Sequence, residues 1–447
     1  MKIFYAFLIL GLGTTSVAFS QEPKPKTPLK HPSWIMKSNI YEVNVRQYTP
    51  EGTLNAFAKH LDRLKNMGVG TLWFMPLNPI SKLDRKGSLG SYYAVSDYTA
   101  VNPEFGTMQD WKNVVKTIHA KGMKVIIDWV PNHTGADNKW IYSHPDFYVK
   151  DKDGKPAVAY DWTDTRQLDY KNEVMQDSMI AAMKYWIDSS DIDGFRCDVA
   201  WNVPGSFWKK CTDTLRKVKQ IFMLAEGDNP YLAENGFDAV YPWKMFQMMK
   251  KVAKGERPAF ALDSVKMEYD STFPPNTIQM YFTSNHDENS WNSADFGTFP
   301  GMSHTPFAIF SQTMAQSVPL IYSGQEEPIL RAIKFFDKDT MEFKRLGREK
   351  FYSALLNLRQ NTPALSADAS FKKIKAGDAN AVYAYVREKS GKKVLVILNL
   401  SDKEQTLKLT DKSLYGHPFN LFTGSPEQVS GKEWHMEPWG YAVYGYE

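Results

Sequence analysis

The sequence is poor in cysteine, with only Cys197 and Cys211 among its 447 residues. It contains neither an H-E-x-x-H nor a C-x-x-C segment, which argues against a catalytic zinc site. No G-x-G-x-x-G or Walker-type loop follows an apolar run, so a nucleotide-binding enzyme is not indicated. A disulfide framework is not expected either, and we predict that both thiols are free and buried.

Concentrated charge and long apolar runs are also missing. The net charge is +4, and the short lysine-rich stretch 24–30 is too small for a nucleic-acid surface, so we expect no nucleic-acid partner. The apolar run 3–17 follows Lys2 and precedes a small-x-small segment. It is typical of a cleaved signal peptide at 1–20 and is too short for a good membrane span. We therefore expect an exported monomer, periplasmic or secreted, with no span in the mature chain.

What the sequence does contain is an alternation of short apolar runs and helical patterns, which follows a Pro- and Lys-rich linker at 21–32. The runs predicted as strands are 40–45, 71–75, 125–129, 194–199, 221–225, 239–241, 278–283 and 320–323. Helical patterns such as 54–66, 108–120 and 174–189 lie between most of them. This α/β order favours a closed (β/α)8 TIM barrel at 33–363 over an open doubly wound sheet.

Two stretches depart from a plain barrel. Residues 131–172, after the third predicted strand, are polar and turn-rich, and we predict an inserted loop subdomain that covers a site. After a helical pattern at 350–360, strand patterns appear at 381–387 and 393–399. We therefore predict a separate C-terminal antiparallel β-sandwich domain at 364–447.

Acidic residues stand at the ends of four of the apolar runs, namely Asp128, Asp198, Glu226 and Asp287. Catalytic groups of a TIM barrel come from the carboxyl ends of several strands, so we expect a carboxylate-rich pocket there. A single acid after a strand is usually a helix cap or a solvated loop residue. Four in order favour function, and a pair of carboxylates is what breaking a glycosidic bond requires.

The neighbours of these acids separate their roles. Asp198 is the best candidate for the nucleophile, because Arg196 points to the same face of the strand and keeps the carboxylate ionised. Glu226 is the best candidate for the acid, because the apolar residues before it predict an apolar surround that favours a protonated carboxyl group. The Asn-His-Asp segment 285–287 forms a polar cluster that suits sugar hydroxyls.

Three further residues have two interpretations each. His133 braces the loop against the barrel rim or contacts the sugar, and on its own the bracing role is the more common one. Asn132 braces the loop or binds a cation. Tyr93 stacks on a sugar ring or packs in the core, and its spacing does not separate the two.

At these positions the sequence closely resembles the α-amylase family of retaining glycoside hydrolases. Residues 128–133 (DWVPNH) resemble the family segment D-x-x-x-N-H, and residues 194–198 (GFRCD) resemble G-x-R-x-D. Glu226 matches the isolated acid, and residues 285–287 match N-H-D. The resemblance runs from about residue 40 to 324, and the ordered set is far more specific than any one motif.

The resemblance implies a nucleophile at Asp198, a general acid/base at Glu226 and a transition-state stabiliser at Asp287. The substrate-binding candidates are Arg196, His286, Tyr93, Asn285, His133 and Asp128. It further implies cleavage of α-1,4 bonds in an α-glucan or maltooligosaccharide through a covalent glycosyl-enzyme. Retention requires the two carboxyl groups to be only about 5–5.5 Å apart.

The chain also departs from the family pattern. Ser91 replaces a histidine, and Trp201-Asn202 replaces a Lys-His pair that helps bind substrate and calcium. Val199-Ala200 is closer to the neopullulanase and cyclodextrinase branch, which leaves α-1,6 cleavage or transglycosylation open. By the resemblance, Asn132 and Asp169 could still hold a structural calcium ion. A non-catalytic sugar-binding member is a remote alternative, because the chain keeps all of the acids.

Overall fold

The computed structural model describes residues 28–293 and 297–446 of the chain. The predicted signal peptide and most of the predicted linker lie outside the described residues. The described end of the linker is bound to the barrel: Leu29 N donates to Pro275 O at 3.1 Å, and His31 Nδ1 lies 2.9 Å from Asp238 Oδ1. Within the described ranges, no helix combines the length and apolarity that crossing a membrane requires.

Parallel strands form a barrel in which each strand pairs with its neighbours in the chain. Their bounds are Ile40–Val43, Thr71–Phe74, Lys124–Trp129, Gly194–Cys197, Phe222–Ala225, Ala239–Val240, Ile278–Gln279 and Leu320–Tyr322. Val318 N donates to Gln279 O at 3.1 Å and Leu320 N to Tyr281 O at 2.9 Å, which joins the eighth strand to the seventh. The predicted TIM barrel is therefore confirmed.

The barrel strands are buried along nearly their whole length. Every residue of Thr71–Phe74, Gly194–Cys197 and Phe222–Ala225 is buried. Side chains inside the barrel cover one face of each strand, and helices cover the other. This two-sided burial explains why the strands read as continuous apolar runs and not as an alternation of apolar and polar residues.

The helices follow the predicted order. The α-helices are Val45–Tyr48, Leu54–Ala58, Leu61–Met67, Met108–Ala120, Lys139–Ser143, Glu173–Ser190, Gly205–Arg216, Pro230–Glu234, Trp243–Ala253, Ala261–Thr272, His286–Asn292, His304–Thr313 and Glu349–Asn361. Short 3₁₀ turns are Ser33–Lys37, Pro145–Phe147, Ala200–Asn202, Gly301–Ser303, Pro363–Leu365 and Lys412–Leu414. The helix predicted at 54–66 is interrupted, because His60 N donates to Phe57 O in an i→i−3 bond of 2.9 Å.

The inserted segment after the third barrel strand has structure of its own. Its short strands His133–Gly135 and Thr165–Gln167 pair antiparallel, with the helix Lys139–Ser143 between them in the chain. The pairing places both ends of the segment beside each other at the barrel rim. Residues from both ends line the pocket described below.

The C-terminal part is an antiparallel unit, as predicted. Its strands are Ser370–Ile374, Val382–Lys389, Lys392–Asn399, Gln405–Leu407, Phe419–Asn420, Ser425–Pro426, Trp434–Met436 and Tyr441–Tyr446. Tyr383 and Tyr385 pack on the barrel core, whereas Ala384 and Val386 face a second core that contains Leu407. The small sheet that carries Leu407 therefore stacks on the larger one, as a sandwich requires.

Candidate active site

The carboxyl ends of the barrel strands surround a cavity of about 280 Å³. Its wall is formed by Lys86, Ser91, Tyr93, His133, Trp162, Asp164, Thr165, Asp198, Val199, Glu226, His286, Asp287, Trp291, Phe335 and Phe336. Asp198 and Glu226 directly follow the fourth and fifth strands, and Asp287 lies in the first turn of the helix His286–Asn292. The structure thus brings the three predicted catalytic acids to one pocket.

Arg196 lies beneath the pocket and connects Asp198, Glu226 and Asp128. The guanidinium is fully buried, and Nη1 donates to Asp198 Oδ1 at 3.0 Å and to Asp128 Oδ1 at 2.9 Å. Nη2 lies 3.1 Å from Glu226 Oε2 as an ion pair, and Nε donates to Tyr241 OH at 3.2 Å. A buried charge needs compensation, and here three carboxylates share one cation. The site therefore carries an excess of negative charge over the buried arginine.

That excess sets the protonation of Asp198. Burial and the nearby Glu226 carboxylate raise the pKa of Asp198 well above its ordinary value, while Arg196 opposes the shift. Carboxylates that crowd one site do not all ionise at low cost, so Asp198, Glu226 and Asp128 together retain a proton. The arrangement can therefore supply a carboxylate and a carboxylic acid side by side.

The backbone after Asp198 is strained. Val199 has φ +44° and ψ +37°, a left-handed conformation that is rare for a β-branched residue. Its N–H donates to Glu226 Oε2 at 2.7 Å. Such conformations cost about 1–3 kcal/mol and persist where other contacts impose them. Here the turn ends the fourth strand two residues before its predicted end. It also directs the Val199 N–H towards Glu226.

A second network of hydrogen bonds and ion pairs contains Tyr93, His286 and Asp287 of the pocket wall. Tyr93 OH donates to Asp128 Oδ2 at 3.0 Å and lies 2.8 Å from His286 Nε2. His286 Nδ1 lies 2.5 Å from Glu42 Oε1, and its Nε2 lies 3.3 Å from Asp287 Oδ2. Burial opposes the charged form of His286, but the Asp287 and Glu42 carboxylates overcome it and raise the pKa of His286 well above its usual range.

The electrostatics of the other two acids differ. Burial opposes ionisation of Asp287, but the His286 charge outweighs it and holds the pKa of Asp287 below its ordinary value. Asp287 is therefore an anion at the pocket wall. Burial raises the pKa of Asp128 to about 6, against the opposing charges of Arg196 and His286. Burial likewise lowers the pKa of His133 to about 4, so this imidazole is neutral at neutral pH.

Not every predicted substrate contact reaches the pocket wall. Tyr93, His133 and His286 do, whereas Asp128 and Arg196 lie beneath it and act through their neighbours. Asn285 Oδ1 accepts from Glu288 N at 2.8 Å, so this side chain caps a helix. The predicted apolar surround of Glu226 is also not found, because its carboxylate meets the Val199 N–H and the Arg196 guanidinium.

The sequence interpretation missed several residues of the site. Glu42 is an acid inside the first strand, between two buried apolar residues. That position was a usable signal, since a charged residue within a buried strand needs a partner. Trp73 and Tyr241 lie under the site, with their ring centres 5.1 Å and 5.5 Å from the Arg196 guanidinium carbon. Lys86 and Asp164 come from loops and carried no local signal.

Of the two predicted calcium ligands, Asn132 does not fit a cation, and Asp169 Oδ1 accepts from Lys171 N at 2.9 Å. Asn132 Oδ1 accepts from Asn202 Nδ2 at 2.8 Å and from Gln167 Nε2 at 3.1 Å. Gln167 Nε2 also donates to the carbonyls of Asn132 and Leu168, at 2.9 Å and 3.3 Å. Amide donors therefore face the oxygens that a hard cation would need. In the described part of the chain, no cluster of three His, Cys, Asp or Glu residues offers an alternative metal site.

Both cysteines are free and buried, as predicted. Cys197 precedes the nucleophile candidate in the fourth strand, and Cys211 Sγ lies 3.5 Å from Met183 Sδ. Burial raises the pKa of both thiols above the ordinary value. They are therefore packing residues rather than reactive groups.

Comparisons with known proteins agree with this geometry. The alpha amylase, catalytic domain family model matches residues 30–163 and 151–353, and the alpha-amylase SusG C-terminal domain model matches residues 382–440. The α-amylase MalA of Haloarcula japonica is 26% identical over 419 residues, which cover 89% of this chain and 60% of that protein. A cyclomaltodextrinase of Thermoanaerobacter pseudethanolicus is 26% identical, over 80% of this chain and 65% of its own length.

Solved structures give the same result. The maltogenic α-amylase AmyB of Thermotoga neapolitana superposes with a TM-score of 0.84 at 27% identity, covering 92% of this chain and 99% of that one. An α-amylase of Lactobacillus plantarum superposes with a TM-score of 0.82 at 28% identity, covering 93% and 100%. The catalytic-domain model spans well over half of this chain. The chain therefore belongs to the α-amylase family.

Proposed function

We propose that this protein hydrolyses α-1,4-glucosidic bonds in starch-like α-glucans or maltooligosaccharides, with retention at the anomeric carbon. The observation that carries the proposal is the buried Arg196 guanidinium, which contacts both Asp198 and Glu226 at the pocket. Relatives that are named α-amylase and cyclomaltodextrinase support the same class of reaction.

In the first step, an Asp198 oxygen attacks the anomeric carbon as the bond to the leaving glycosidic oxygen breaks. Glu226 gives its proton to that oxygen, so the leaving sugar departs as a neutral alcohol. Positive charge develops on the ring during this step, and the anionic Asp287 stabilises it. The Arg196 guanidinium favours the ionised form of Asp198 and orients it for the attack.

In the second step, the Glu226 carboxylate takes a proton from water, and the water oxygen attacks the same carbon. The ester bond to Asp198 breaks, and both acids return to their starting protonation. His286 and Tyr93 line the pocket and hold the sugar ring there. Two displacements at one carbon retain the configuration.

The test uses Asp198→Asn and Glu226→Gln, which keep the size of each side chain. We expect turnover of maltooligosaccharides to fall by about three orders of magnitude or more, with ligand binding retained in calorimetry. Asp213→Asn makes the same chemical change on an exposed helix face and should leave turnover unchanged. Full activity of either pocket variant would refute the assigned roles. Inert wild-type protein that still binds maltotriose would favour the non-catalytic alternative.

Transglycosylation, with α-1,6 as well as α-1,4 linkages, is the second candidate. Trp201 is 46% exposed and packs close to Gly227, the residue after the acid. Tyr160 lies beside it, with ring centres 6.2 Å apart. Exposed aromatic faces at this position suit an acceptor sugar, which would then compete with water for the glycosyl-enzyme. Chromatography of the products from maltotriose and pullulan separates the two, because transfer forms products longer than the substrate.

We also propose that the mature protein is exported, to the periplasm or the medium, and acts as a monomer. The charged start, the apolar run and the small-x-small segment of residues 1–20 support export. Mass spectrometry of the N-terminus from a native extract tests the cleavage, and light scattering of the purified protein tests the assembly. An uncleaved N-terminus or a stable dimer contradicts the respective part.

A further inference from the structure

The pocket rim is continuous on one side. Trp291 contacts Phe335 and Phe336, with ring centres 5.4 Å and 5.9 Å apart. The carbonyl of Phe336 accepts from Leu89 N at 2.9 Å, which fixes the loop that carries Lys86. The loops after the second, seventh and eighth strands therefore form one wall.

An ion pair joins this wall to the inserted segment. Lys86 Nζ lies 3.2 Å from Asp164 Oδ1, and the side chains are 35% and 4% exposed. Both residues line the pocket. From Asp164 the rim continues through Trp162 to Tyr160, whose ring centre is 4.9 Å away, and then to Trp201. The described contacts thus run around the pocket from Trp291 to Trp201.

The stacking contacts assign the part of this wall that contains Phe335, Phe336 and Lys86 to the glycone side. The acid Glu226 protonates the leaving oxygen, so the reducing-side sugars lie beyond it, near Trp201. Phe335 instead stacks on Tyr93, at 6.2 Å and 12° between ring planes, and Tyr93 stacks on His286. The wall that contains Lys86 continues from Phe335 and Phe336. A sugar chain that enters past Trp201 would therefore meet the ion pair with its non-reducing end.

The cavity volume agrees with a short subsite. Ligand pockets usually span about 300–1,000 Å³, and this one encloses about 280 Å³. A long open cleft is needed to hold a chain through its interior. A small cavity with a charged end wall instead suits a chain terminus, whose free hydroxyls can donate to a carboxylate and accept from an ammonium group.

We propose that Lys86 and Asp164 form the end wall of the glycone subsite and bind the free non-reducing terminus of an α-glucan. The enzyme then releases short products from chain ends and does not cut chain interiors. This inference rests on the proposed hydrolase function and specifies its substrate. Lys86 and Asp164 become specificity-determining residues in addition to the catalytic acids.

The test compares nitrophenyl maltoheptaoside with the same compound blocked at its non-reducing 4- and 6-hydroxyls, and with a cyclodextrin, which has no chain end. For the wild type we expect kcat/KM to be about ten- to hundredfold lower on the blocked compound, as the loss of charged hydrogen bonds predicts. Lys86→Ala and Asp164→Ala should raise KM for the free compound. They should also reduce the difference in kcat/KM between the free and the blocked compound to a few-fold.

Arg166→Ala is the matched control. Arg166 Nη2 lies 2.7 Å from Asp84 Oδ2, so this neighbouring pair ties the same two loops, but neither residue lines the pocket. The control should keep the wild-type preference for free ends. Equal rates on free and blocked compounds, or an equal loss of preference in Arg166→Ala, would overturn the inference and leave the hydrolase function standing. Failure to cleave either compound would refute both the inference and the proposed hydrolase function.

Discussion

The buried pair of Glu42 and His286 gives the sharpest prediction. His286 Nδ1 lies 2.5 Å from Glu42 Oε1, and both side chains are at most 2% exposed. Replacement of Glu42 by Gln keeps the side-chain shape and an oxygen that can accept from Nδ1, but it removes the negative charge. We expect the pKa of His286 to fall towards its ordinary value, because burial then acts with less opposition.

The magnitude follows from the kind of bond that is weakened. A hydrogen bond to a charged group contributes about 1.5–3 kcal/mol, and each 1.4 kcal/mol or so changes a rate tenfold. We therefore expect Glu42→Gln to lower kcat/KM by about ten- to hundredfold if the charged imidazolium binds the transition state. The charged form is present below the pKa of His286 and is lost above it. The alkaline limb of the variant should consequently begin at a lower pH.

The assay is the pH profile of kcat/KM on a maltooligosaccharide, with the His286 resonance followed by NMR in parallel. Glu326→Gln is the control, because Glu326 is also buried and accepts from Tyr41 OH at 2.6 Å, yet it does not line the pocket. It should lower the melting temperature without moving the alkaline limb. A Glu42→Gln enzyme with unchanged kcat/KM and an unchanged His286 pKa would refute the reasoning.

Other consequences can be measured independently. Activity needs an ionised Asp198 and is lost as pH falls through the raised pKa of this residue. Asp128→Asn removes a like charge, so the acidic limb of the kcat/KM profile should move to lower pH. An acidic limb at the wild-type pH would contradict this prediction. Because the Gln167 amide faces the oxygens a cation would use, EDTA should leave the melting temperature unchanged, and a drop that calcium reverses contradicts this. Arg387→Met should lower the free energy of unfolding by roughly 3 kcal/mol in urea titrations, because it leaves buried carbonyl oxygens at the domain boundary without a donor. The exposed control Lys392→Met should leave the free energy of unfolding unchanged. Equal free energies for the two variants would contradict the prediction.

The barrel could be predicted because its strands are buried on both faces. The resulting apolar runs are visible without knowledge of their neighbours, and all eight were found. Their carboxyl ends were predicted less well. The fourth strand ends at Cys197 because Val199 is left-handed, and the seventh is only Ile278–Gln279. These are the places where the chain leaves the sheet to aim functional groups, so regular periodicity stops there.

The acids at strand ends could be predicted for the same reason, since each follows its own run. Glu42 was missed because it lies within a strand and not at its end: a charge there signals that a partner exists, but only the contact with His286 identifies that partner. Lys86 and Asp164 were missed because their pairing is created by the packing of two loops that are far apart in sequence. Local patterns identify the chemistry of this site, whereas the shape of its end wall depends on long-range contacts.

The calcium hypothesis also depends on long-range contacts that the sequence does not show. The segment that contains Asn132 carries the family pattern, so the resemblance implied a ligand there. Whether an amide oxygen can bind a cation depends on what faces it, and here the facing groups are the side-chain amides of Gln167 and Asn202. Both are donors, and a donor that points at the oxygen competes with a cation for the same lone pairs. A motif therefore predicts which atoms are present but not whether their lone pairs are free, and only the contacts across the inserted segment decide that.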